Sequence, residues 1–210
     1  ASNIKIVGGN FSSIYLSDVN NVTFDNINIK MQALVNSDNS QVAFQATSSD
    51  QIHITNSVIV GSLAINGVDD SAVSLDYTGN VIGRPFGKGI SLNYTSNSSV
   101  YNTEISSFSK GISFSSGSNL TIDNNYLHDM RIDDIEGSVD SGLLITNNRL
   151  EQSMPWNVAD HPDRIHIFTN TKQITGLTIT GNVFSAGTGD VVQGIYLDDN
   201  HKGLGFSGAI

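Results

Sequence analysis

The feature that most constrains this chain is a repeat. One template, apolar-x-apolar behind a small or polar residue, recurs as Ile14-Tyr15-Leu16, Val42-Ala43-Phe44, Val73-Ser74-Leu75, Ile90-Ser91-Leu92, Ile112-Ser113-Phe114, Ile135-Glu136-Gly137, Ile165-His166-Ile167 and Ile195-Tyr196-Leu197. A second template reads VTFDNINI, IHITNSVI, LDYTGNVI, VYNTEI, LTIDNNYL, LLITNNRL and LTITGNVF. It closes on Ile29, Ile59, Ile82, Ile105, Leu127, Leu150 and Phe184, in steps of 30, 23, 23, 22, 23 and 34 residues. Self-similarity at such a period marks a solenoid, in which each unit buries its apolar face only against its neighbours.

A bare period of 22–23 residues with two alternating segments is one coil built from short strands. Strands so short are unstable alone. Stacked at ~4.8 Å, they pair every backbone group with the coil above and below. Alternate residues then face inward and build a continuous core. The asparagines fit this picture. Asn26, Asn56, Asn102, Asn124 and Asn147 share one column, and Asn80, Asn125, Asn148 and Asn182 share the next. Asparagine tolerates left-handed turns and can stack its amide on the next coil. The L-x-x-L-x-L spacing of leucine-rich repeats is absent, and a β-sandwich would not need fixed columns. The expected fold is all-β: a single-stranded parallel β-helix of about eight coils by this template count, forming one domain over 1–210 or part of a longer solenoid.

Charge narrows the partners. Ten Lys and Arg face twenty Asp and Glu, a net charge of −10. No basic stripe exists to release phosphate counterions, so nucleic acid is not an expected partner, and an anionic membrane is disfavoured. No apolar run reaches the length of a membrane span. Cysteine is absent and does not settle the compartment. Neither a P-loop string nor GxGxxG appears, which argues against a nucleotide-dependent enzyme.

Function is expected where the repeat is interrupted, because loops carry it more often than bare coils. Polar stretches lie within Gln32–Asp50 and Gly61–Asp70, and the segment Glu151–Pro162 holds the single tryptophan, Trp156, together with His161. The wall beside that last segment also changes. Gly89 and Ser91, then Gly111 and Ser113, give way to Asp134 and Glu136, Arg164 and His166, and Gly194 and Tyr196, with Asp198 beyond. If alternation holds, Ile135, Ile165 and Ile195 point inward and these polar side chains point outward. Glu136, His166 and Tyr196 would then form one row and Asp134 and Arg164 another, with Arg131, Arg149, His161, His128, Asp129 and Asp133 at the edges.

The two templates and their Asn columns resemble the pectate-lyase-like superfamily of right-handed parallel β-helices, which includes polysaccharide lyases, epimerases, glycoside hydrolases and tailspikes. The resemblance spans nearly the whole chain and implies the right-handed coil and a polysaccharide partner. It does not fix the activity. The R-x-P-x-x-R string of classical pectate lyases, the GHG and RIK strings of polygalacturonases and the DPHE string of epimerases are all absent, although Asp133-Asp134 supplies a DD pair.

On this reading the chain acts on an acidic, uronate-containing polysaccharide by β-elimination. That reaction needs a cation on the sugar carboxylate, a base for the adjacent proton and an acid for the leaving oxygen. Arg164 is the expected neutraliser, His166 the base, Tyr196 the acid and Glu136 the group that orients His166. Asp134, Arg131, Arg149, Trp156, His161 and Asp198 are expected substrate contacts. Ca²⁺ could be held by Asp129 and Asp133, although no EF-hand loop is present. Two alternatives stand beside it: a glycoside hydrolase using Asp134 and Glu136, and a glycan-binding or structural β-helix without catalysis. The expected location is extracellular, periplasmic or on a phage particle, with another domain or self-association covering the apolar end coils.

Overall fold

The computed structural model describes residues 3–32, 40–64, 84–151, 162–186, 193–200 and 203–209. Three parallel sheets run the length of the molecule. The first stacks Ile4–Val7, Asn20–Asp25, Asp50–Thr55, Ser98–Tyr101, Ser118–Asp123, Ser141–Thr146, Ile174–Thr180 and Phe206–Ala209. The second stacks Asn10–Phe11, Asn28–Lys30, Val58–Val60, Glu104–Ser106, Tyr126–His128, Arg149–Glu151 and Val183–Ser185. The third stacks Ile14–Ser17, Val42–Thr47, Lys88–Asn93, Lys110–Ser115, Ile135–Ser138, Asp163–Phe168 and Gln193–Asp198. The chain passes from third sheet to first to second and back to the third one coil further on. This is the expected single-stranded parallel β-helix, with eight strands in its longest sheet.

Each sheet turns columns of apolar residues inward. Phe24, Ile54, Val100, Ile122, Ile145 and Ile179 are successive register partners in the first sheet, and all are buried. Ile29, Ile59, Ile105, Leu127 and Leu150 do the same in the second. Burying one such side chain stabilises by ~1.5–3 kcal/mol, and the coils share one continuous core.

The tight corner between the first and second sheets is made by asparagine. Asn26, Asn56, Asn102, Asn124 and Asn147 all sit at positive φ, between 47° and 57°, where other side chains are strained. In the next column Asn125 and Asn148 are buried and, with Asn182, form an amide ladder. Asn148 Nδ2 donates to Ile122 O and Asn182 Oδ1, both at 2.9 Å, while Asn148 Oδ1 accepts from the backbone N and the Nδ2 of Asn125 at 2.9 Å.

Coil length varies most at the corner where the second sheet hands the chain to the third. Residues 107–109 suffice in one coil, whereas 61–87 and 152–162 occupy the same place in others. It varies less where the third sheet hands the chain to the first, with 116–117 there in one coil and 169–173 in another. Ile59 pairs directly with Ile105, and Asn102 bonds Asn56 across 46 residues of sequence. This corrects one expectation. The coil anticipated at Val73-Ser74-Leu75 and Ile82 lies outside the described residues, and the direct pairing leaves no rung for it between Ile59 and Ile105. The flanks of that segment pair antiparallel instead, Arg84 with Ala64 and Pro85 with Leu63.

Candidate functional site on the outer wall

The third sheet begins immediately after the variable corner, and strict alternation slips there. Glycines reveal the slip. A Cβ on Gly89 would lie 2.7 Å from Ile105 Cγ2, and one on Gly111 would lie 2.8 Å from Leu127 Cδ2, both core atoms. The Gly89 and Gly111 column therefore faces the interior, as the isoleucine following each glycine also does. Two consecutive residues point inward, so the outward pairs are three apart. They read Lys88 and Ser91, Lys110 and Ser113, Asp133 and Glu136, Asp163 and His166, and Gln193 and Tyr196, although Asp133 and Asp163 are covered on that side and only 2% and 1% exposed. The register confirms the columns: Lys88 pairs with Lys110 and Asp163 with Gln193, while Ser91, Ser113, Glu136, His166 and Tyr196 follow one another.

This corrects the expected second row. Asp134 and Arg164 occupy the inward column, 0% and 3% exposed. Arg164 Nη1 donates to both Asp134 oxygens at 3.0 and 3.2 Å. Neither side chain stands on the open wall. Burial pushes the Asp134 carboxyl up to about 7, and Arg164 pulls it back from where burial alone would leave it. Arg164 is committed to this pair, and Asp134 lies on the opposite face from Glu136. The two carboxyls anticipated for hydrolysis therefore do not face one space.

The expected row of Glu136, His166 and Tyr196 is present on consecutive rungs. The His166 ring lies 4.9 Å from that of Tyr196 and 5.3 Å from that of Phe168. Glu136 accepts from Lys110 Nζ at 2.6 Å and from Ser113 Oγ at 3.1 Å. Burial raises its carboxyl, but Lys110, Asp133 and Ser113 prevail and hold it below its ordinary value. Asp133 behaves oppositely. Burial, with the hydrogen bond to Glu136 and its charge, pushes Asp133 up to about 8, so the two carboxyls share one proton near neutrality. Asp133 Oδ1 also accepts from the Asp163 backbone N at 3.0 Å. One ligand atom from each of Asp133, Asp163 and His166 lies within 4.8 Å of the others.

Of the remaining expected residues, those described have the following partners. Arg131 is buried and donates to Pro85 O at 3.3 Å, at the base of the 61–87 excursion. Arg149 belongs to the second sheet, where it covers the Tyr126 ring at 4.9 Å and pairs with Glu151. Asp129 engages His128 Nδ1 at 2.8 Å, so its carboxylate is not one of the groups converging with Asp133. Asp198 follows Tyr196 on the last described strand of the third sheet and accepts from Asn200 N at 2.7 Å. Trp156 and His161 lie outside the described residues. Sequence reasoning passed over Lys110 and Asp163, whose signal is available: each stands two residues before the core isoleucine of its coil.

The model of the right handed beta helix region matches residues 1–158 and 78–208, and the chain belongs to that family. Among solved structures it is similar to the crystal structure of PfbA, a surface adhesin of Streptococcus pneumoniae, at 11% identity and a TM-score of 0.32, over 85% of this chain. The chain spans 63% of the length of that structure. No curated protein matches it by sequence. Among the described residues, no helix is long and apolar enough to cross a membrane.

Proposed function

We propose that this β-helix binds an acidic polysaccharide along the third sheet and cleaves it by β-elimination at the rungs of Glu136, His166 and Tyr196. One observation carries the reading: over three consecutive rungs the outward column changes from serine to Glu136, His166 and Tyr196, beside the corner that accepts insertions. Proton transfer by a positioned side chain contributes ~10²–10⁴-fold, and imidazole is suited to it near neutral pH.

In this reading His166 takes the proton next to the sugar carboxylate and Tyr196, 38% exposed, serves the leaving oxygen. Glu136 is held by Lys110 and Ser113 and positions its neighbour on the next rung. With Arg164 buried against Asp134, a cation in contact with the wall is Lys110, 2.6 Å from Glu136 and with its side chain 28% exposed. We assign it the charge-neutralising role. Such a protein would work outside the cell, in the periplasm or on a phage particle, where polysaccharides are met.

The test is an ultraviolet absorbance screen on alginate, pectate and glycosaminoglycans, with and without divalent cations, run beside a reducing-sugar assay. New absorbance from an unsaturated uronate supports the reading. Reducing ends without that absorbance move the assignment to hydrolysis. Silence in both overturns catalysis. Retardation in a glycan-containing native gel would then favour binding alone, for which the exposed Tyr15, Tyr94 and Tyr101 offer stacking surfaces.

A further inference from the structure

We infer that Asp133, Asp163 and His166 form a binding site for one first-row divalent metal ion, with Zn²⁺ preferred over Ca²⁺. Their donor atoms lie within 4.8 Å of one another, two from one rung and one from the rung before it. Donors around a tetrahedral zinc ion are ~3.3 Å apart, a distance reached from here by small side-chain rotations. The strand backbones fix where the three side chains start, so little has to be ordered when the ion arrives.

The histidine supplies an observation independent of the carboxylates. His166 Nε2 is shielded from solvent and makes no hydrogen bond. The other histidines among the described residues are engaged: His53 Nδ1 contacts Ser99 Oγ at 2.8 Å, and both ring nitrogens of His128 meet carboxylates. A buried ring nitrogen without a partner is unfavourable, and coordination to a metal would satisfy it. The rings of Phe168 and Tyr196 hold the imidazole in place.

The surroundings suit a metal. Asp133 is oriented by the Asp163 amide, and Glu136 is occupied by Lys110 and Ser113. Outer contacts of this kind orient the donors and tune their affinity. One imidazole nitrogen and two carboxylate oxygens form a mixed set, which Zn²⁺ accepts, whereas Ca²⁺ takes six to eight oxygens. Three protein donors leave a fourth position for water or a substrate oxygen.

This inference goes beyond the reading of the same wall: an ion held on the imidazole would withhold it from acid–base work and so suppress the proposed elimination, and its binding is tested without any polysaccharide. The full chain, freed of metal with a chelator, is titrated with ZnCl₂ by calorimetry, and CaCl₂ is titrated in parallel. One Zn²⁺ per chain is expected, weakened at least ~100-fold in both His166→Gln and Asp163→Asn. The partly exposed His166 makes His166→Gln the decisive variant should Asp163→Asn fail to fold, and circular dichroism establishes which variants are folded. Co²⁺ provides a second readout: wild-type protein should develop ligand-field absorbance saturating at one equivalent, and folded His166→Gln should not. Absence of Zn²⁺ uptake, equal uptake by His166→Gln, or preference for Ca²⁺ would overturn the site. Failure here leaves the proposed elimination standing, and silence in the polysaccharide assays leaves the metal site standing.

Discussion

Arg164 Nη1 lies 3.0 and 3.2 Å from the two carboxylate oxygens of Asp134, one rung below, and both side chains are buried inside the coil at its variable corner. The coils before them fill the same column with Gly89 and Gly111. Where glycine stands, opposing core atoms close the gap; where the charged pair stands, the Asp134 carboxylate and the longer Arg164 side chain fill it. Each charge is tolerated there because the other is present.

Removing one partner should therefore unfold more than it disarms. Arg164→Met leaves an uncompensated carboxylate in the interior and should cost ~3–5 kcal/mol in urea unfolding. The double variant Asp134→Leu with Arg164→Met should recover most of that loss. Equal destabilisation of the single and double variants would show that the pair is not the stabilising unit.

The wall should respond differently. His166→Ala and Tyr196→Phe are expected to lower turnover of a cleaved polysaccharide by ~10²-fold or more. Lys110→Met should raise KM as well as lower kcat, through weaker hold on the sugar carboxylate. His166→Ala and Tyr196→Phe should unfold within ~1 kcal/mol of wild type, because neither removes a core side chain, whereas Lys110→Met leaves Glu136 without its cation and should cost more. Unchanged kcat in folded His166→Ala would remove the histidine from the reaction.

The buried amide ladder should be far less tolerant than the exposed one beside it. Asn148→Ala strips partners from the Ile122 carbonyl and the Asn125 amide, and it should cost ~3 kcal/mol. Asn124→Gly keeps the left-handed turn at an exposed site and should change stability by no more than ~0.5 kcal/mol. Thermal unfolding of the two variants side by side checks the contrast.

Stability should also depend on the His128 proton. Burial lowers the affinity of this imidazole for its proton, but the hydrogen bonds to Asp129 and Glu104 outweigh it, so the folded value lies above the ordinary 6.5. A folded state that holds the proton more tightly is favoured while the group is charged. The contribution is thus complete below 6.5 and is lost as pH rises through the higher folded value. Wild type should exceed His128→Gln in stability by more at pH ~5.5 than at pH ~8.5. A ring-proton titration by NMR with a midpoint below 6.5 would contradict this.

The repeat made the coil, its core columns and the Asn ladders legible, because each depends on a residue type recurring at a fixed interval. The Glu136, His166 and Tyr196 row was legible for the same reason. Two things were not. The partners of Glu136 could not be read by period-two alternation, because the backbone turns two consecutive residues inward at the corner. That exchanged Asp134 and Arg164 for Asp133 and Asp163 on the wall. The rung count around Val73 also misled, since a segment with a coil-like pattern is bypassed by direct pairing of Ile59 with Ile105.

Concentrating most length variation at one corner, while the asparagine corner stays fixed, divides the labour within each coil. Neighbouring rungs keep the same hydrogen-bonded register whether 22 or 46 residues separate them. A segment exchanged there alters what the molecule presents to its surroundings without renegotiating how it folds. The solenoid is in this sense a chassis with one main row of sockets. New specificities should arise, in nature or in a library, by swapping what is plugged in beside the third sheet while the ladder beneath stays as it is.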